Sequence, residues 1–125
     1  MTEEEVNQFE KTQSQLNGLH IEIGLLSKKN PNDAVNKFKL KFINKTIEES
    51  NELLGEEYKP YQEFEKFEEE DMPTTSDVTM MLEQYLNCLE KLRSDNLEYG
   101  TGSYYWVIDG EISDIKTANP FKFKR

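Results

Sequence analysis

The spacing of apolar residues changes once along this chain, and that change limits the folds open to it. Up to about Asn96 the large apolar side chains recur every three or four residues, the spacing of amphipathic helices. Beyond EYGTGS, which reads as a flexible glycine-rich joint, they alternate, as in a strand with one covered face. Helices followed by a small antiparallel sheet give an α+β fold, mostly α. At 125 residues the chain suits a single domain with one modest core.

The first helix reads from about Thr2 to Lys28. Val6, Phe9, Leu16, Ile23 and Leu26 mark its apolar stripe, with Gln13 and His20 falling in the same seam. Thr2 followed by Glu5 has the spacing of a capping box. Gly18 and Gly24 each cost about 1 kcal/mol relative to alanine in a helix interior, so they mark a bend or a place where another backbone comes close.

A second helix is expected over 31–54, with Asn30 as its cap, Pro31 at its first position and Gly55 as its stop. Leu40, Ile43, Ile47 and Leu54 form its main stripe, while Phe38, Phe42 and Leu53 lie on another side. The third helix spans about 76–95, capped by Thr75 or Ser76, with Val78, Met81, Leu82, Tyr85, Leu89 and Leu92 facing inward. The first two helices are expected to form an antiparallel hairpin against which the third packs.

SYYWVIDGEISDIKT, residues 103–117, reads as a β-hairpin around a two-residue type I′ turn at Asp109-Gly110. That turn sets Ile108 opposite Glu111, Val107 opposite Ile112 and Trp106 opposite Ser113. A lone hairpin is marginal in water, so this one must lie on the helices through Tyr104, Trp106 and Val107. The C-terminal NPFKFKR has the alternation of a third strand, which would extend the hairpin into a short meander.

Several chemistries are disfavoured by composition. The net charge of −10 opposes phosphate backbones and anionic lipid, so direct nucleic-acid binding is not expected. No apolar run approaches a membrane span, and the first ten residues are acidic where a leader would be basic and then apolar; the expectation is a cytoplasmic protein. One cysteine, Cys88, offers neither an internal disulfide nor a thiolate metal site. One histidine, His20, leaves little for acid–base catalysis and sits in a helix seam. The hairpin aromatics Tyr104, Tyr105 and Trp106, with Lys116 as a basic group, are the residues that would stack on and pair with a small nucleotide.

Glu48, Glu49 and Glu52 in EESNE fit the E-E-x-x-E half of a magnesium-binding pattern. In this and in its size and helicity the chain resembles the all-α nucleotide pyrophosphohydrolases of the MazG type. That resemblance implies a second pair, E-x-x-D, on the following helix, and a Mg²⁺ that orients a nucleoside triphosphate for attack by water. Glu68 and Asp71 have the E-x-x-D spacing but precede Pro73 in a connector, and the third helix offers only Glu83 followed by Leu86 and Glu90 followed by Arg93.

The connector itself, residues 56–74, is the most unusual segment. From Glu56 to Asp71 it holds eight acids against two lysines, with Tyr58, Tyr61, Phe64 and Phe67 among them. A short helix around Tyr61 to Phe67 would place Phe64 and Phe67 on one face. Rings in an acidic segment either anchor it to its own core or enter a partner's pocket while the acids steer a basic surface toward it. Tyr61, Phe64, Phe67, Glu68, Glu69, Glu70 and Asp71 are accordingly the expected partner-binding residues. The function this predicts is a non-enzymatic protein, without a cofactor, that binds and inhibits a larger partner through a basic surface, in the manner of small acidic antitoxins, immunity proteins and phage counter-defence inhibitors. The seam of the first helix suits pairing within the chain or between copies in a homo-oligomer.

Overall fold

A computed structural model describes residues 1–120 and shows the α+β, mostly α arrangement expected from the sequence. Three helices, α1 (Glu3–Lys29), α2 (Lys37–Tyr58) and α3 (Thr75–Ser94), are followed by strands β1 (Leu97–Gly100), β2 (Ser103–Ile108) and β3 (Glu111–Thr117). The strands form one antiparallel sheet in the order β1-β2-β3. None of the described helices is long and apolar enough to cross a membrane.

The three helices bury the stripes that their periodicity marks. Val6, Phe9, Leu16 and Ile23 of α1 meet Leu40, Ile43, Ile47 and Leu54 of α2 and Val78, Leu82, Tyr85 and Leu89 of α3 in one core. Leu26, near the end of the α1 stripe, is 37% exposed, because the stripe there rotates out of the bundle. The Thr2–Glu5 capping box is formed in both directions.

The second helix starts at Lys37, six residues later than Asn30-Pro31 suggests. Asn36 accepts from the backbone of Lys39 and is the cap. Residues 31–35 instead serve the start of α3. Val35 N donates to Pro73 O, Thr75 N to Asp33 O and Ser76 N to Pro31 O, at 2.9 to 3.1 Å. Those long-range bonds satisfy backbone groups that an earlier helix would have paired locally. At the other end the expected stop at Gly55 holds: its φ of 64° breaks the helix, and one further turn carries the chain to Tyr58.

Tyr58 ties that last turn to the end of α3, donating its hydroxyl to Asp95 Oδ2 at 2.6 Å. The bond holds the Asp95 carboxyl below its usual range and, chiefly through the same bond, pushes Tyr58 up to about 12. Because both groups are partly solvated, Tyr58→Phe should cost only about 1 kcal/mol at pH 7. The lowered Asp95 places this contribution above the ordinary carboxylate value of about 4, and it is lost as pH falls below that. The raised Tyr58 keeps the contribution whole up to about 10, and it is lost as pH climbs toward 12. Urea unfolding of both proteins at pH 7 and pH 3 checks the acid limb: the difference at pH 7 should have shrunk at pH 3.

The sheet differs from expectation in where its third strand comes from. EYGTGS, read from sequence as a flexible joint, is the end of β1 and a tight turn in which Thr101 and Gly102 both have positive φ. The expected strand in NPFKFKR falls on residues 121–125, which lie outside the described part. Asp109-Gly110 forms the expected turn, with φ of 52° and 83°. Ile108 pairs with Glu111 and Val107 with Ile112, as the turn dictates.

At Trp106 the register breaks. The next pair is Tyr105 with Lys116, so Ser113, Asp114 and Ile115 of β3 lie where β2 has Trp106 alone. Ser113 Oγ donates to Trp106 O at 2.7 Å and accepts from Ile115 N, replacing ladder bonds lost in the bulge. Trp106 is fully buried, and Ile108 and Ile115 pack beside it against the helices. The contact expected of Val107 falls to these residues, since neighbouring strand positions face opposite sides.

Candidate functional site

The acidic connector is held to its own chain by a set of specific polar contacts. Asn44 on α2 receives the connector backbone as a strand would: Phe67 N donates to Asn44 Oδ1 and Asn44 Nδ2 donates to Phe67 O, both at 2.9 Å. One α2 turn pair further on, Asn51 Nδ2 donates to Glu65 O at 3.2 Å, while Asn51 Oδ1 accepts from Tyr85 Oη at 2.7 Å. Burial and its surroundings push Tyr85 up to about 12, so this donor keeps its proton across the neutral range. Lys59, with its side chain 4% exposed, reaches Glu65 Oε2 at 2.9 Å and closes the first loop.

These bonds hold the connector extended across one side of α2, and the short helix expected over Tyr61 to Phe67 is absent. Backbone groups taken by Asn44 and Asn51 are not free to pair within a helix. A single 3₁₀ turn follows at Glu69–Asp71, and Met72 leaves it with a positive φ of 50°. Pro73 then meets Val35, fixing the far end.

The strap divides its side chains by chemistry. Phe64 and Phe67 pack edge to face at 5.0 Å against the core, with Phe64 beside Tyr85. They anchor the strap to its own chain. Glu63, Glu65, Glu68, Glu69, Glu70 and Asp71 point to solvent, as do Tyr61 and Met72, which are 42% and 66% exposed. Glu69 reaches Lys37 at 3.2 Å; Glu68, Glu70 and Asp71 form no ion pair among the described residues. The strap is thus a fixed acidic ridge with two exposed apolar tips. Asn44, Asn51 and Met72 complete it and were not evident from sequence, because an amide on a helix face or one methionine carries no local signal.

The other expected residues are placed differently. Glu48 and Glu52 are exposed and Glu49 half-buried on α2. Glu49 and Glu52 line a cleft with Glu4 and Glu5 of α1, so a second carboxylate pair does face them, from the first helix and not the third. Among the described residues no group of three or more His, Cys, Asp or Glu side chains is arranged to hold a metal ion. Trp106 has no free face for stacking, since it is fully buried, edge-on to Phe9 at 5.0 Å. Tyr104 and Tyr105 are half-buried, Tyr104 against Tyr99 at 5.1 Å, and Lys116 is exposed opposite Tyr105. His20 is half-buried and lies 3.8 Å from Glu83. Burial pushes the Cys88 thiol up, which lowers its nucleophilic fraction.

Between helices and sheet lies a polar joint. Arg93 is 2% exposed, 3.0 Å from Glu90 and 3.6 Å from Glu10, with its guanidinium over the Phe9 ring at 5.1 Å. Glu10 Oε2 accepts from Trp106 Nε1 at 2.8 Å and Thr117 Oγ1 at 2.9 Å. Arg93 of α3, Trp106 of β2 and Thr117 of β3 all reach Glu10 of α1, which makes the joint a fastening for the sheet.

No family model, curated protein or solved structure matches this chain.

Proposed function

We propose that this chain is a non-enzymatic binding protein whose acidic strap docks on a basic surface of a larger protein partner. The observation that carries this reading is the strap's fixed backbone. A solvated linker has no use for the paired amide bonds of Asn44 and Asn51, whereas a recognition surface gains affinity when its backbone is ordered before binding. Glu68, Glu70 and Asp71 supply the steering charge, with Tyr61 and Met72 as exposed apolar contacts at the two ends of the strap. Phe64 and Phe67 belong to the anchoring and not to the contact. Inhibition of the partner follows where the surface covered is one that the partner needs.

The division of labour is testable. Glu68→Lys combined with Glu70→Lys should leave the melting temperature within a degree or two, since both side chains are exposed. It should lower capture of the basic partner from extract at least tenfold, and high salt should abolish the wild-type capture. Phe64→Ala should instead lower stability by roughly 1–2 kcal/mol, as a half-buried ring is removed. Equal capture by the wild type and the charge-reversed protein counts against the reading. So does a rise in melting temperature with a nucleoside triphosphate: if it requires Mg²⁺ or Mn²⁺, hydrolysis at Glu48, Glu49 and Glu52 takes its place, and if not, a small-nucleotide site does.

A further inference from the structure

The outer side of the α1–α2 pair, facing away from α3, carries features that a lone chain does not use. Phe38 and Phe42 on α2 are 72% and 41% exposed and stack edge to face at 5.1 Å. Between the helices runs a groove of about 520 Å³ lined by Lys11, Gly18, Glu22, Phe42, Lys45 and Glu49. Gly18 faces open space, so its missing side chain relieves no crowding within the chain.

Charge along α2 is divided in two. From Lys37 to Lys45 it holds four lysines and no acid, and from Glu48 to Glu57 five glutamates and no base. The lysines occupy the first turns, where the helix dipole disfavours cations, and there is no acid in the first turn to offset them. At the opposite end, Glu4 and Glu5 crowd Glu49 and Glu52 around one cleft. Lys37 and Lys39 are paired within the chain, with Glu69 and Glu22, which leaves Lys41 and Lys45 to give the basic end its open charge, opposite in sign to the acidic cleft.

We infer that this face pairs with the same face of a second copy, α2 against α2 and antiparallel, in a two-fold dimer. A partner of one sign would meet like charge over half the face. Only a copy turned end for end cancels both halves at once, because the basic aromatic end of each chain then covers the acidic cleft of the other. Crossing at the charge boundary sets Lys45 against the partner's Glu49 and Phe42 against the partner's Glu52. Gly18 lets the facing chain approach, and the two helix pairs stack face to face with Phe38 and Phe42 removed from water. Two helices about 10 Å apart and about 30 Å long give on the order of 600 Å² in projection. That is near the ~800 Å² per partner of a standard interface and suits micromolar association. The acidic strap runs along a different side of α2, on Asn44 and Asn51, so it stays open in the dimer and either proposal can fail alone.

Sedimentation equilibrium of the full chain over roughly 1 to 500 µM tests this. The wild type should pass from its 14.7 kDa monomer to twice that mass, with a midpoint that rises with salt. Lys41→Glu with Lys45→Glu reverses the open charge of the basic end, and Glu49→Lys with Glu52→Lys reverses that of the α2 side of the acidic cleft. Each double variant alone should remain monomeric while keeping its helical circular dichroism, and their equimolar mixture should recover the doubled mass. Phe38→Ser, at a side chain too exposed to matter for folding, should also abolish association. A wild type monomeric throughout, either charge variant that still dimerises, or a mixture that stays monomeric overturns the assignment.

Discussion

Trp106→Ala should destabilise this protein by about 4 kcal/mol, within the usual range for removing a fully buried tryptophan. The residue fills the space between sheet and helices, and its ring meets Phe9 edge-on at 5.0 Å. Its indole N–H also satisfies Glu10, the carboxylate that Arg93 and Thr117 share. Truncation therefore removes apolar area, leaves a cavity beside Phe9 and deprives Glu10 of one donor. Urea unfolding followed by circular dichroism would read the change as a lower midpoint. Trp106→Phe separates the parts: it keeps most of the packing and loses the donor, and should cost about 1–3 kcal/mol. A loss below about 1 kcal/mol for the alanine variant would mean that the three-stranded sheet contributes little to the cooperative unit.

That dependence of the sheet on one tryptophan was partly legible in the sequence. A hairpin too small to stand alone had to lie on the helices, and Tyr104, Trp106 and Val107 were the expected contacts, of which Trp106 is fully buried. The Asp109-Gly110 turn and the registers next to it follow from local chemistry, as do the capping box at Thr2 and the stop at Gly55. What did not follow was set by contacts distant in sequence. Asn30-Pro31 has all the marks of a helix start, yet the backbone of 31–35 is claimed by Pro73 to Ser76. Thr101 is a poor residue for a positive φ, and sheet pairing on both sides holds it there, so EYGTGS did not read as a strand and turn. In the candidate site, the acids and rings of the connector were visible, but their separation into outward and inward sets was not. Helical spacing placed Phe64 and Phe67 together, and the structure achieves the same pairing with an extended backbone held by two asparagines.

Arg93 shows the same limit in its most consequential form. In sequence it is a cation in the last turn of a helix, where it complements the dipole and needs no other role. In the fold it is 2% exposed and is the cation between two carboxylates from different helices. Arg93→Leu should therefore cost about 3–5 kcal/mol, because it leaves buried negative charge on Glu90 without this counterion and removes the stacking over Phe9. Desolvation makes the intact pair itself worth little net, so replacing both members should cost less than replacing one. Glu90→Gln in the Arg93→Leu background is expected to recover about 1–2 kcal/mol, a coupling of the size seen between contacting charged residues. The double-mutant cycle by urea unfolding gives that coupling directly. Additive losses would mean that Glu90 and Arg93 stabilise the joint through separate packing contacts. A recovered double variant would instead make charge balance the reason an arginine is buried where sheet, α1 and α3 meet.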